Sequence, residues 1–110
     1  MATGQIFDEQ NYLRIKTTIT TLAAADVKSA VIEFKTPGED GVWGEWAATH
    51  DPETNIIYYD LPLGTTLKSI ATALEVESVG LWTFRGVATM DDDRPIQGTF
   101  HYEMIFETNP

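Results

Sequence analysis

The sequence predicts an all-β chain, a single antiparallel β-sandwich of about seven strands. Three observations carry that expectation. Short runs rich in β-branched and aromatic residues alternate apolar with polar positions at period two. Clusters of Pro, Gly, Asp and Asn separate the runs. The chain of 110 residues, 43% apolar and without cysteine, has the size and composition of one globular domain that holds together by its core and not by disulfides.

The elements follow in order. Residues 1–11 read as an N-terminal arm in which Ile6 and Phe7 are the two large apolar side chains, and residues 12–110 as the sandwich domain. Tyr12 to Thr21 is the first strand, with Leu13, Ile15 and Ile19 alternating with Arg14, Lys16, Thr18 and Thr20. Residues 22–26 form a connection. Val27 to Thr36 is the second strand, placing Ala30, Ile32 and Phe34 inward and leaving Val31 as the exception on the polar side. The turn Pro37-Gly38-Glu39-Asp40-Gly41 leads to a third strand, Val42 to Thr49. There Trp46 and Ala48 share one face, and Trp43, Glu45 and Thr49 the other.

A turn over 50–55 precedes a short strand, Ile56 to Asp60, that is apolar on both sides. Residues 61–79 are ambiguous in period. Leu67, Ile70, Ala71 and Leu74 fit one helical face, so the segment is read as a loop with one or two helical turns. Gly80 to Met90 is a strand with Trp82, Phe84 and Ala88 inward. Asp91-Asp92-Asp93-Arg94-Pro95 closes a hairpin. The last strand, Ile96 to Phe106, is expected to turn Ile96, Phe100, Tyr102, Met104 and Phe106 inward and Gln97, Thr99, His101 and Glu103 outward.

A Trp on the third strand is a feature of immunoglobulin-like sandwiches, and Trp46 stands there, although the usual cysteine pair is absent. A small closed barrel is the structural alternative.

The charge narrows the partners. Seventeen acids against seven bases give −10. Residues 1–36 are neutral, and residues 37–110 carry the whole excess. Phosphate-tracking proteins have the opposite sign, so neither nucleic acid nor an anionic membrane surface is expected as a partner. No apolar run approaches a membrane span, and the opening residues lack the basic and apolar regions of a signal peptide.

Few residues suggest chemistry. His50 lies by a turn and His101 on the last strand beside Glu103, an ordinary polar pair without a nucleophile; no catalytic residue is assigned and no enzyme is expected. Three successive aspartates, Asp91 to Asp93, cannot all point at one ion, so no metal site and no cofactor are expected. The candidate interaction residues are Ile6 and Phe7 on the arm, and the aromatics Trp43 and Tyr58.

An ordered series of segments carries a resemblance. It runs from Asp26-Val-Lys-Ser-Ala-Val-Ile-Glu-Phe-Lys-Thr-Pro-Gly-Glu-Asp-Gly41 through Trp46-Ala-Ala-Thr49 and Asn55-Ile-Ile-Tyr-Tyr59. Gly80-Leu-Trp82-Thr-Phe84-Arg-Gly-Val-Ala-Thr89 follows, then a closing strand ending Met104-Ile-Phe106. Over residues 12–107 this resembles small tailed-bacteriophage virion proteins, including modules like baseplate upper-protein N-terminal domains. Residues 61–79 are longer than the corresponding connection of that group. The resemblance implies an immunoglobulin-like structural component of a virion, assembled in the host cytoplasm. Such a component is a capsid decoration, neck or tail-associated protein that acts by associating with other virion proteins or with copies of itself. The alternative, from a different class, is a carbohydrate-binding accessory module using Trp43 and Tyr58.

Overall fold

The computed structural model describes residues 5–19 and 26–108. The first four residues of the expected arm, the end of the first strand and most of the connection over 22–26 lie outside the described residues. Among the described residues, eight strands and one helix follow in the order β1 (Ile6–Phe7), β2 (Arg14–Thr18), β3 (Val27–Lys35), β4 (Trp43–Asp51), β5 (Ile56–Asp60), α1 (Leu67–Ala73), β6 (Gly80–Met90), β7 (Pro95–Gln97) and β8 (His101–Phe106).

The all-β expectation holds, but two parts of it are corrected. The strands form one curled sheet in the order β1-β8-β6-β3-β4-β5-β2, with β7 on β6, and not two separate sheets. The sheet is mixed, because β1 runs parallel to β8. The cause of the single sheet lies in β4. Residues 43–48 of β4 pair with β3, while Thr49–Asp51 pair with β5, so this one strand carries the hydrogen-bond ladder from one layer into the next. The curl closes until Thr17 of β2 lies on Gly86 of β6, where a Cβ would collide with the Thr17 hydroxyl oxygen. Only glycine leaves room there for the Thr17 side chain.

The core sits inside the curl. Trp82, Phe84, Ile32, Ile57, Leu67 and Ile105 are fully buried. Phe34, Trp46 and Tyr59, from three successive strands, stack with centroids 4.4 and 5.2 Å apart and tie the layers together. The Trp82 indole N–H donates to the Ser78 carbonyl at 2.7 Å, which satisfies the one polar group of that buried ring.

Residues 61–79 resolve into loop and helix. Thr66 and Ser69 form a reciprocal capping box, each backbone N–H donating to the other's hydroxyl at 2.9 and 3.1 Å. The seven-residue helix then buries Leu67 and Ala71. Ile70 is half-buried and Leu74 exposed, so the apolar stripe seen in the sequence is half used.

The last strand departs most from expectation. It divides into β7 and β8, and β8 faces the opposite way: Ile105 is buried, while Phe100, Tyr102, Met104 and Phe106 are exposed. Its pairing partner shows why. Trp82 and Phe84 fix the inner face of β6, and they stand opposite Glu103 and His101. Ile96 on β7 is opposite the buried Ala88. From Val87 to Phe84 on β6 the partners run from Gln97 to His101, one residue more, so a bulge over 98–100 reverses the alternation.

The arm folds back on its own domain as an edge strand. Ile6 is half-buried and packs against the core, whereas Phe7 remains on the outer face.

Candidate functional site

The outward surface of the sheet is the candidate interaction face, and the pairing register places its side chains in rows. Strand neighbours directly opposite one another share a face. In one row Glu45 of β4 is opposite Glu33 of β3, which is opposite Arg85 of β6. One step along, Trp43, Lys35, Thr83 and Tyr102 follow one another across four strands. Next come Leu81 and Met104, then Phe106 and Phe7.

Two regions of this face differ in chemistry. The first is an apolar patch across β6, β8 and β1. Leu81, Tyr102, Met104, Phe106 and Phe7 are 37–58% exposed and none is charged. The Phe7 and Phe106 rings lie 6.3 Å apart. Exposed acids, Glu9, Glu77 and Glu107, follow in the adjoining segments.

The second region is an aromatic corner. Trp43 is 50% exposed and its ring stands 6.0 Å from that of Phe100, inclined by 48°. The Arg85 guanidinium lies over Phe100 at 4.6 Å, and its Nε donates to Glu33 at 2.8 Å. A cleft of about 360 Å³ opens between Trp43, Phe100, Glu33, Glu45 and Arg85. Two like-charged glutamates face each other across β3 and β4, an arrangement that costs stability unless compensated. Arg85, bonded to Glu33, provides the compensation.

The residues singled out in the sequence are dispersed over the structure. Tyr58 sits opposite Thr49 of β4, six residues from Trp43 along the strand, about 20 Å away at the ordinary strand rise. It packs beneath the Arg14 guanidinium, 4.1 Å from the ring centre, and Arg14 is itself held by Asp60 at 2.6 Å. Trp43 and Tyr58 therefore form no common platform. Phe7 joins the apolar patch; Ile6 does not.

His50 and Asn55 are 2.9 Å apart at their turn. His101 and Glu103 are 2.7 Å apart and stand on the inner face beside a cleft of about 500 Å³, bounded by Arg14, Ile15 and Lys16 of β2. In the acidic hairpin, Asp92 accepts from Arg94 and Asp93 from Lys28, at 2.6 and 2.7 Å. The Arg94 backbone N–H, together with its side chain, holds the Asp92 carboxyl below its ordinary pKa. Among the described residues, no three His, Asp or Glu side chains gather as a metal site would require, and no helix is long and apolar enough to cross a membrane.

The rows themselves were hidden in the sequence. Glu33, Glu45 and Arg85 each occupy an outward position that alternation reveals, but which of them stand opposite one another depends on register. Alternation alone places Phe100 inward, because the bulge after Gln97 has no sequence signal beyond Gly98. No protein-family model, no curated protein and no solved structure matches the chain.

Proposed function

We propose that this protein is a non-enzymatic association module that docks through the apolar patch of its outer sheet face. The observation that carries the reading is the patch itself: Phe7, Leu81, Tyr102, Met104 and Phe106 stand together, uncharged and exposed. Contiguous apolar surface of this kind, with polar groups around it, marks protein interaction sites. Tyr and Phe supply large contact area at low entropic cost, and burial of their neighbours excludes water around them. The acids flanking the patch favour a partner whose apolar surface is rimmed by Lys or Arg.

The setting proposed is a tailed-phage particle, on the resemblance of residues 12–107, with a neighbouring virion protein as the partner. An immunoglobulin-like kinship of the curled sheet belongs to the same proposal. Its support is Trp46, which stacks on Phe34 and Tyr59 near the middle of the sheet.

The test uses Tyr102→Glu combined with Met104→Glu. The isolated variant is expected to keep its thermal midpoint within a few degrees, because both side chains are exposed. Its copy number in purified particles is expected to fall about tenfold or more, the loss that a desolvated charge imposes at an interface. Undiminished incorporation rejects the docking face. Absence of the unaltered protein from purified particles rejects the virion setting.

A further inference from the structure

The aromatic corner calls for a different ligand from the apolar patch. Its walls are the Trp43 ring and the Phe100 ring, and its rim carries two carboxylates and a guanidinium. We infer that this corner is a binding subsite for a pyranose ring of a neutral oligosaccharide.

Three features favour a sugar. An exposed indole offers a flat apolar face, which suits the C–H face of a pyranose, while the polar groups at its edge suit the hydroxyls. The polar rim is a mixed donor and acceptor set. Glu33 is engaged by Arg85. Glu45, in the same row, adds a carboxylate that can accept from sugar hydroxyls.

The third feature is rigidity. Glu45, Glu33 and Arg85 project from three paired strands in a single row, and Trp43 is the outward neighbour of Glu45 on β4. Arg85 is further fixed by stacking on Phe100. Donors and acceptors held this way need little ordering when a ligand arrives. The cleft of about 360 Å³ falls at the lower end of small-ligand sites, about 300–1,000 Å³, and suits one or two rings.

The geometry differs from the pairing expected in the sequence. Tyr58 takes no part, and Phe100 with the Glu33–Arg85 pair replaces it. The inference is independent of docking through Leu81 and Met104: where the two regions share a row, Trp43 on β4 and Tyr102 on β8 are separated by Lys35 of β3 and Thr83 of β6.

The experiment titrates the full chain with cello-, xylo-, malto- and chito-tetraose, and separately with a tetralysine peptide, following tryptophan fluorescence and calorimetric heat. At least one sugar is expected to give a saturable change at millimolar concentration or below. Trp43→Ala is expected to weaken it about tenfold or more, and Glu45→Gln several-fold, with thermal midpoints close to that of the unaltered chain. Tyr58→Phe and the doubly charged patch variant are expected to bind as the unaltered chain does. The inference is overturned if no sugar saturates, if sugar binding survives Trp43→Ala and Glu45→Gln unchanged, or if only the peptide perturbs the tryptophan signal.

Discussion

The Ser78 hydroxyl donates to the Asp8 carboxylate at 2.9 Å, across seventy residues of sequence. Asp8 is 2% exposed, and its other oxygen accepts the Thr108 backbone N–H at 3.0 Å. One buried carboxylate thus joins β1, the segment before β6 and the segment after β8. Asp8→Ala removes the acceptor and leaves two donors unpaired. The expected loss of stability is about 1–3 kcal/mol, read from urea unfolding of the full chain. An unchanged midpoint would mean that Ile6 and the backbone hydrogen bonds of the arm hold it without the Asp8 carboxylate.

The same carboxylate sets a pH dependence. Burial pushes the Asp8 carboxyl up. The Thr108 backbone N–H, the Ser78 and Thr108 hydroxyls and the Lys68 charge together outweigh burial and leave it below its ordinary pKa. A carboxyl depressed by folding binds its proton more readily in the unfolded chain, so its contribution is complete above the unfolded value, about 3.9. It is lost as pH falls through the lower, folded value. Unfolding free energy is therefore expected to fall as pH drops below about 4, with a shallower slope in Asp8→Asn. Equal slopes in the two proteins would remove Asp8 from that dependence.

The reversed face of β8 is tested by a pair of substitutions. Ile105→Ala empties a fully buried site and is expected to cost about 2–5 kcal/mol. Tyr102→Ser alters a residue 58% exposed and is expected to stay within about 0.5 kcal/mol. The alternation read from the sequence demands the opposite ranking, so denaturant midpoints of the two variants decide between them.

Thr17 and Gly86 give a further test. The Thr17 hydroxyl is buried and finds no hydrogen-bond partner among the described residues. Thr17→Val keeps the shape and removes the unsatisfied oxygen, so stability is expected to hold or rise by about 1 kcal/mol. Gly86→Ala drives a methyl into the same atom and is expected to cost about 1–3 kcal/mol. Thermal midpoints of both variants measure the two effects, and a strongly destabilised Thr17→Val would show that the hydroxyl has a partner.

What could be read in the sequence was local. The strands at Val27, Ile56 and Gly80 begin where alternation places them, the one expected from Val42 begins at Trp43, and Trp46 points inward as expected, because each depends on a few neighbouring residues. The Thr66–Ser69 capping box was present in the sequence but was masked by a period that suited strand and helix alike. The bulge after Gln97 was illegible: it changes alternation through one added residue, and a one-residue slip reverses every side chain beyond it. The corner at Trp43 was half legible for the same reason. Trp43 stood out as exposed, but only the register of three strands brings Glu33, Glu45 and Arg85 beside it.

The parallel pairing of β1 with β8 also bears on mechanics. Tension applied at residues 5 and 108 pulls the two strands in opposite directions along their shared axis. The Asp8 N–H bond to Phe106, at 2.9 Å, and the Asp8 bonds to Thr108 and Ser78 then bear load together instead of opening one by one. A module tethered at both ends in this way resists being pulled apart by shear. The lock that carries the load is the same short segment that the sequence presents as a loose arm.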